Sequence, residues 1–281
     1  MLFALIVLAA GYGAAVGLLV PRAVYRLAVE PDAPWRDSCP SGHPLTGPAG
    51  GWLGPARCGA CGGVFRGQAS GLPDALRAGP PLPDGPRIQP VRRLGTGFWG
   101  GAPGATPAVA GLTAAVCAAL AGAVGFAPEL GVWLLLAPFF VLLALVDRAV
   151  QRLPDVLTLP LAAAAAVLLG GVALLPGARG SWPLALLGGL ALGGGYLVLF
   201  LVNPNGMGFG DVKLAIGLGV ALGWYGWGVL MPGALAGFVY GAGYGFVLVL
   251  RGRAGRRTAM PFGPFMVAGA FTGMLLGGLG A

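Results

Sequence analysis

Met1 to Val20 is a run of apolar and small residues without a single charge, long enough to cross a bilayer, and it ends at Pro21 and Arg22. Seven further apolar stretches follow at 107–127, 130–147, 155–175, 182–202, 211–225, 228–250 and 261–280, with charges confined to their ends. Lipid offers the backbone no hydrogen-bond partners, so a segment of this length and composition must satisfy its own peptide groups as a helix. With 57% hydrophobic and only 9% charged residues, the chain has too little polar surface for a soluble globular domain. Its 54 glycines suit close helix contacts in lipid better than a water-soluble bundle. The expected fold is an all-α polytopic membrane protein of about eight transmembrane helices. No basic n-region and small-residue cleavage site accompany the first stretch, which is therefore read as a retained helix.

Residues 21–105 break the pattern with nine arginines, five acids and many prolines and glycines, and with no run able to span a bilayer. The chain thus divides into a first transmembrane helix (1–20), a polar loop domain (21–105) and a seven-helix membrane part (106–281). With the N-terminus outside, 16 of the 17 Lys and Arg residues fall on the cytoplasmic side, and only Arg179 does not. The net charge of +8 then needs no nucleic-acid partner, since the positive-inside rule accounts for it.

Acids bordering membrane spans are costly unless paired or hydrated, which makes each of them a functional candidate. Five of the nine acids lie in the 21–105 loop and Glu129 in a short outer turn, leaving Asp147, Asp155 and Asp211 at the cytoplasmic ends of spans. Each also has a structural reading. Asp147 precedes Arg148 as a boundary charge, Asp155 fits an N-cap for the fourth span, and Asp211 fits an N-cap after the turn made by Gly206, Gly208 and Gly210. Lys213 is read as a boundary lysine or a group screening Asp211, outside any catalytic set. Two carboxylates brought together from different helices can share a proton and activate water against a peptide carbonyl. No serine elbow or zinc-protease helix motif competes with that chemistry.

Three segments carry a family resemblance: Asp147 to Pro160, reading DRAVQRLPDVLTLP; Gly208 to Leu214, reading GFGDVKL; and Pro261 to Phe265, reading PFGPF. Their joint occurrence, in this order, resembles the type IV prepilin peptidases, membrane aspartyl proteases of the GxGD type, over about residues 130–270. The resemblance implies removal of a short basic leader from type IV prepilins or pseudopilins at the cytoplasmic face of the inner membrane. It places the two catalytic aspartates on Asp147 and Asp211, with Gly208, Gly210 and Asp155 in supporting positions. The residues alone do not choose between Asp147 and Asp155. The PFGPF segment has no ionisable side chain and is read as a helix start that shapes the site.

Cys39, His43, Cys58 and Cys61 lie within 23 residues, in C-P-S-G-H and C-G-A-C runs whose spacing suits a Cys₃His zinc site. A metal would order a loop this poor in apolar residues. Cys117, inside the second span, is read as a small apolar filler. The resembled family carries two C-x-x-C pairs here, and this chain lacks the second cysteine of the first. Methylation of the new N-terminus with S-adenosylmethionine, which the resemblance also implies, is therefore expected to be weak or absent. The expected partners are prepilin-like substrates and the bilayer. Two other readings compete, a proton-coupled transporter using the boundary acids as a relay and a non-catalytic membrane scaffold.

Overall fold

The computed structural model describes residues 1–29, 33–62, 105–204, 206–252 and 260–280. Residues 30–32 and 63–104 of the expected loop domain, and Asn205 of the glycine-rich break, lie outside the described residues. Eight long helices are present among them: α1 (Leu2–Leu27), α2 (Ala105–Val124), α3 (Glu129–Val150), α4 (Asp155–Val172), α5 (Trp182–Val202), α6 (Phe209–Gly223), α7 (Trp227–Leu250) and α8 (Gly263–Gly280). The described residues form no β-strand, only an isolated bridge between Ser38 and Pro44.

Seven of these helices are long and apolar enough to cross a membrane. The exception is α6, the expected span at 211–225. Its 15 residues reach only about 22 Å, against a hydrocarbon core of about 30 Å. Most of its residues are buried, and it packs against α4, α5, α7 and α8. It is a core helix wrapped by its neighbours, so its apolar composition reflects burial in protein rather than a full crossing.

Small residues set the helix spacing. A Cβ built on Gly13 of α1 would lie 2.6 Å from the Thr113 carbonyl of α2, and one on Gly188 of α5 would lie 2.5 Å from the Gly219 carbonyl of α6. Any side chain there would separate the helices. Helix α1 outlasts the expected 1–20 span: it continues through Pro21 to Leu27, and the loop docks on its last turns. The Gly54 amide donates to the Leu19 carbonyl at 3.0 Å, and the Arg22 amide donates to the Gly54 carbonyl at 3.1 Å. The buried Arg22 guanidinium donates to the carbonyls of Thr46 and Arg57, while Arg26 lies 4.3 Å over the Trp52 ring.

Two expected caps are absent. The N-cap of α4 is Pro154, with Asp155 the first helical residue, and the N-cap of α6 is Gly208, with Asp211 inside the first turn. Neither helix has a side-chain cap hydrogen bond. Nor does the 206–210 turn use left-handed backbone at Gly206, Gly208 or Gly210. Space is what these glycines supply. A Cβ on Gly210 would stand 3.0 Å from the Leu153 side chain, and one on Gly206 would collide with the Asn203 amide.

Candidate active site

Helices α3 and α6 each bring one aspartate to the same end of the bundle, at the start of α8. Asp147, in the last turn of α3, is only 4% exposed, and Asp211, in the first turn of α6, is 7% exposed. The two carboxylates are within electrostatic range of one another. The Gly263 amide, at the start of α8, donates to Asp147 Oδ2 at 2.9 Å. A Cβ on Gly263 would lie 2.8 Å from that same oxygen, so the close approach requires glycine. Gly208 lines the other carboxylate, with its Cβ position 3.7 Å from Asp211 Oδ2. Gly210 seats α6 against Leu153, in the connection that leaves α3.

The turn after α3 is tightly made. Gln151 adopts left-handed backbone with φ 53°, and its amide donates to the Asp147 carbonyl at 2.7 Å. The chain then reverses toward Asp155, which is 66% exposed and forms an ion pair of 2.6 Å with Lys213. Lys213 also lies 4.8 Å over the Phe209 ring. Asp155 and Lys213 thus tie the start of α4 to the start of α6 on the surface, outside the buried pair. The PFGPF segment does more than shape the site, because its Gly263 amide holds one carboxylate directly.

Sequence reasoning missed Tyr196. It lies in the otherwise apolar α5 and is 3% exposed, with its ring 5.4 Å from Phe238 and 6.3 Å from Phe262. The one signal available was a lone tyrosine in a helix of aliphatic, glycine and other apolar residues. Glu129, read as part of an outer turn, is fully buried in the first turn of α3. Its Oε1 accepts the Arg179 amide at 3.3 Å, at the opposite end of α3 from Asp147.

The cysteine and histidine cluster closes as the spacing predicts. One donor atom from each of Cys39, His43, Cys58 and Cys61 lies within 4.8 Å of all the others. Cys39 Sγ is 3.5 Å from His43 Nδ1 and 4.0 Å from Cys61 Sγ. A tetrahedral zinc site with Zn–S bonds of about 2.3 Å has edges of about 3.8 Å, so this donor set fits such an ion with little adjustment. Burial raises the pKa of the Cys39 thiol. Hydrogen bonds from the His43 backbone and ring, the Ser41 backbone and Cys58 outweigh it, bringing the thiol down to about 6. Cys117 is buried in α2, apart from the cluster, as expected.

Residues 134–256 match the type IV leader peptidase family. The chain is 36% identical over 141 residues to a protein of Burkholderia pseudomallei (strain K96243), covering 47% of this chain and 42% of that one. It is 34% identical over 161 residues to one of Pseudomonas aeruginosa (54% and 52%), and 32% identical over 172 residues to one of Pectobacterium carotovorum (57% of each). All three bear the name prepilin leader peptidase/N-methyltransferase. The chain thus spans about half the length of the curated relatives it matches. No solved structure matches it significantly. The family match encloses Asp147, Asp155, Gly208, Gly210 and Asp211, and excludes the cysteine cluster and Gly263. The segment similar to the type IV leader peptidase family thus takes in both buried aspartates.

Proposed function

We propose that this protein is a membrane aspartyl endopeptidase that removes the basic leader from type IV prepilins or pseudopilins at the cytoplasmic face of the inner membrane. The observation that carries the proposal is the meeting of two buried carboxylates, Asp147 and Asp211, from separate helices inside the family-matched segment. A pair holding one proton between them can do both halves of peptide hydrolysis. The ionised member takes a proton from the attacking water while the protonated member hydrogen-bonds the scissile carbonyl. The Gly263 amide fixes the Asp147 carboxylate for this exchange. Gly208 and Gly210 let α6 bring Asp211 close, and Asp155 supports the site through Lys213.

A proton-coupled transporter is the poorer reading. Along α3, every residue between Glu129 and Asp147 is non-titratable, so the buried acids at its two ends have no relay between them on that helix. Zinc is the ion assigned to Cys39, His43, Cys58 and Cys61, where it would hold the loop together through residues separate from the aspartate pair.

The test is to incubate the membrane-reconstituted protein with a prepilin carrying a basic leader and to read the product's N-terminus by mass spectrometry. Loss of the leader is expected, and an intact substrate would contradict the proposal. The same spectrum reports methyl transfer when S-adenosylmethionine is supplied, since the relatives' name pairs the two activities. A gain of one methyl group on most of the product would show that the altered cysteine loop still supports transfer.

A further inference from the structure

Tyr196 is the one buried phenol beside the aspartate pair, and nothing in the leader-peptidase reading gives it work to do. Its position follows from the packing of α5 on α6. Gly188 lies against Gly219, Gly189 against Val220 and Gly193 against Ile216, an antiparallel register in which the next turn of α5 brings Tyr196 level with the start of α6, the turn that carries Asp211. The phenol is within electrostatic range of the Asp211 carboxylate. On its other side the ring stacks on Phe238 of α7 at 5.4 Å and touches Phe262 at 6.3 Å. Phe262 in turn precedes Gly263, the residue that holds Asp147. The ring is therefore held against α7 and the segment that leads to Gly263, within range of Asp211 on α6. Although the residue is 3% exposed, no group among the described residues hydrogen-bonds its hydroxyl, and the hydroxyl is not among the fully enclosed polar atoms without a partner.

A hydroxyl that has no protein partner and is not fully enclosed, on a ring held by its neighbours, is free to donate to a molecule bound beside the aspartate pair. We propose that Tyr196 is a third catalytic residue, whose hydroxyl donates a hydrogen bond to the scissile carbonyl oxygen as it becomes an oxyanion. The inference rests on the peptidase reading. In the step concerned, the oxygen of water forms a bond to the carbonyl carbon, a water proton passes to the ionised aspartate, and the carbonyl π pair moves onto oxygen. Tyr196 keeps its own proton and stabilises that charge. When the intermediate collapses, the C–N bond breaks and the leaving amine takes a proton from the carboxylic acid. A donor aimed at charge that develops only in the transition state lowers the barrier without tightening substrate binding.

Tyr196→Phe keeps the ring and its stacking while removing the donor. In the reconstituted cleavage assay it should lower kcat by roughly 100-fold with KM nearly unchanged, on the scale of losing one oxyanion donor. Affinity for a peptide inhibitor carrying a tetrahedral hydroxyl in place of the scissile carbonyl should fall by a similar factor, while affinity for the uncleaved peptide holds. Phe238→Leu loosens the stack but leaves the hydroxyl, and it should remain more active than Tyr196→Phe. The proposal is overturned if Tyr196→Phe keeps wild-type kcat, if only KM changes, or if Phe238→Leu is the more damaging of the two. These outcomes are read only where wild type cleaves and Asp147→Asn does not. Failure of that pair of controls would instead defeat the peptidase reading.

Discussion

Gly263 is the residue on which the Asp147 geometry most depends. Its amide hydrogen bond to Asp147 Oδ2 is charge-assisted, and bonds of that kind contribute about 1.5–3 kcal/mol. Gly263→Ala would push a methyl group to within 2.8 Å of the oxygen it now holds. We predict that it slows leader cleavage by roughly 10-fold to 100-fold, the rate equivalent of that bond, with helix content by circular dichroism unchanged. Asp155→Asn removes an ion pair that is exposed on the Asp155 side and half-buried on the Lys213 side, and partly solvated pairs contribute about 1 kcal/mol. It should keep measurable cleavage, and complete loss would move Asp155 into the catalytic set. At this scale the sequence was only partly legible. The acids stood out because charge is rare here, but their spacing could not separate Asp147 from Asp155. Burial separates them. Gly263 and Tyr196 were hidden for opposite reasons: one acts through its backbone, and the other sits in a helix that reads as lipid-facing throughout.

At the scale of elements, apolar length located all eight long helices to within a few residues, except where tertiary packing intervened. Helix α1 runs past Pro21 because the loop beyond it docks on Arg22 and Arg26 and orders the extra turns. Helix α6 reads as a span because it is buried in protein, and hydropathy does not distinguish protein from lipid. The docked segment 33–62 brings its own prediction. Metal analysis of the purified protein should find one zinc, which Cys58→Ala removes, and the stripped protein should be cut faster by added protease within 33–62. Leader cleavage should persist, since the cluster shares no residue with the aspartate pair. Zinc near zero in the wild type would leave the loop held by protein contacts such as those of Arg22 and Arg26 and the Trp35–Trp52 pair.

For the whole molecule, the fold is a scaffold that lets the membrane-spanning helix α3 and the core helix α6 present acids to each other at one end of the bundle. The core helix α6 makes this arrangement workable, because its neighbours shield most of it from lipid and let it begin at the depth of the last turn of α3. In the proposed function that end faces the cytoplasm, an orientation the arginine distribution favours. A scaffold protein with the same helices would not depend on either carboxylate. The most direct measurement is therefore the leader-cleavage rate of Asp147→Asn and Asp211→Asn, reconstituted in liposomes beside the wild type, with membrane insertion checked for each. The account predicts that each substitution alone abolishes cleavage while the protein remains folded in the membrane. Cleavage at the wild-type rate by either variant would contradict it.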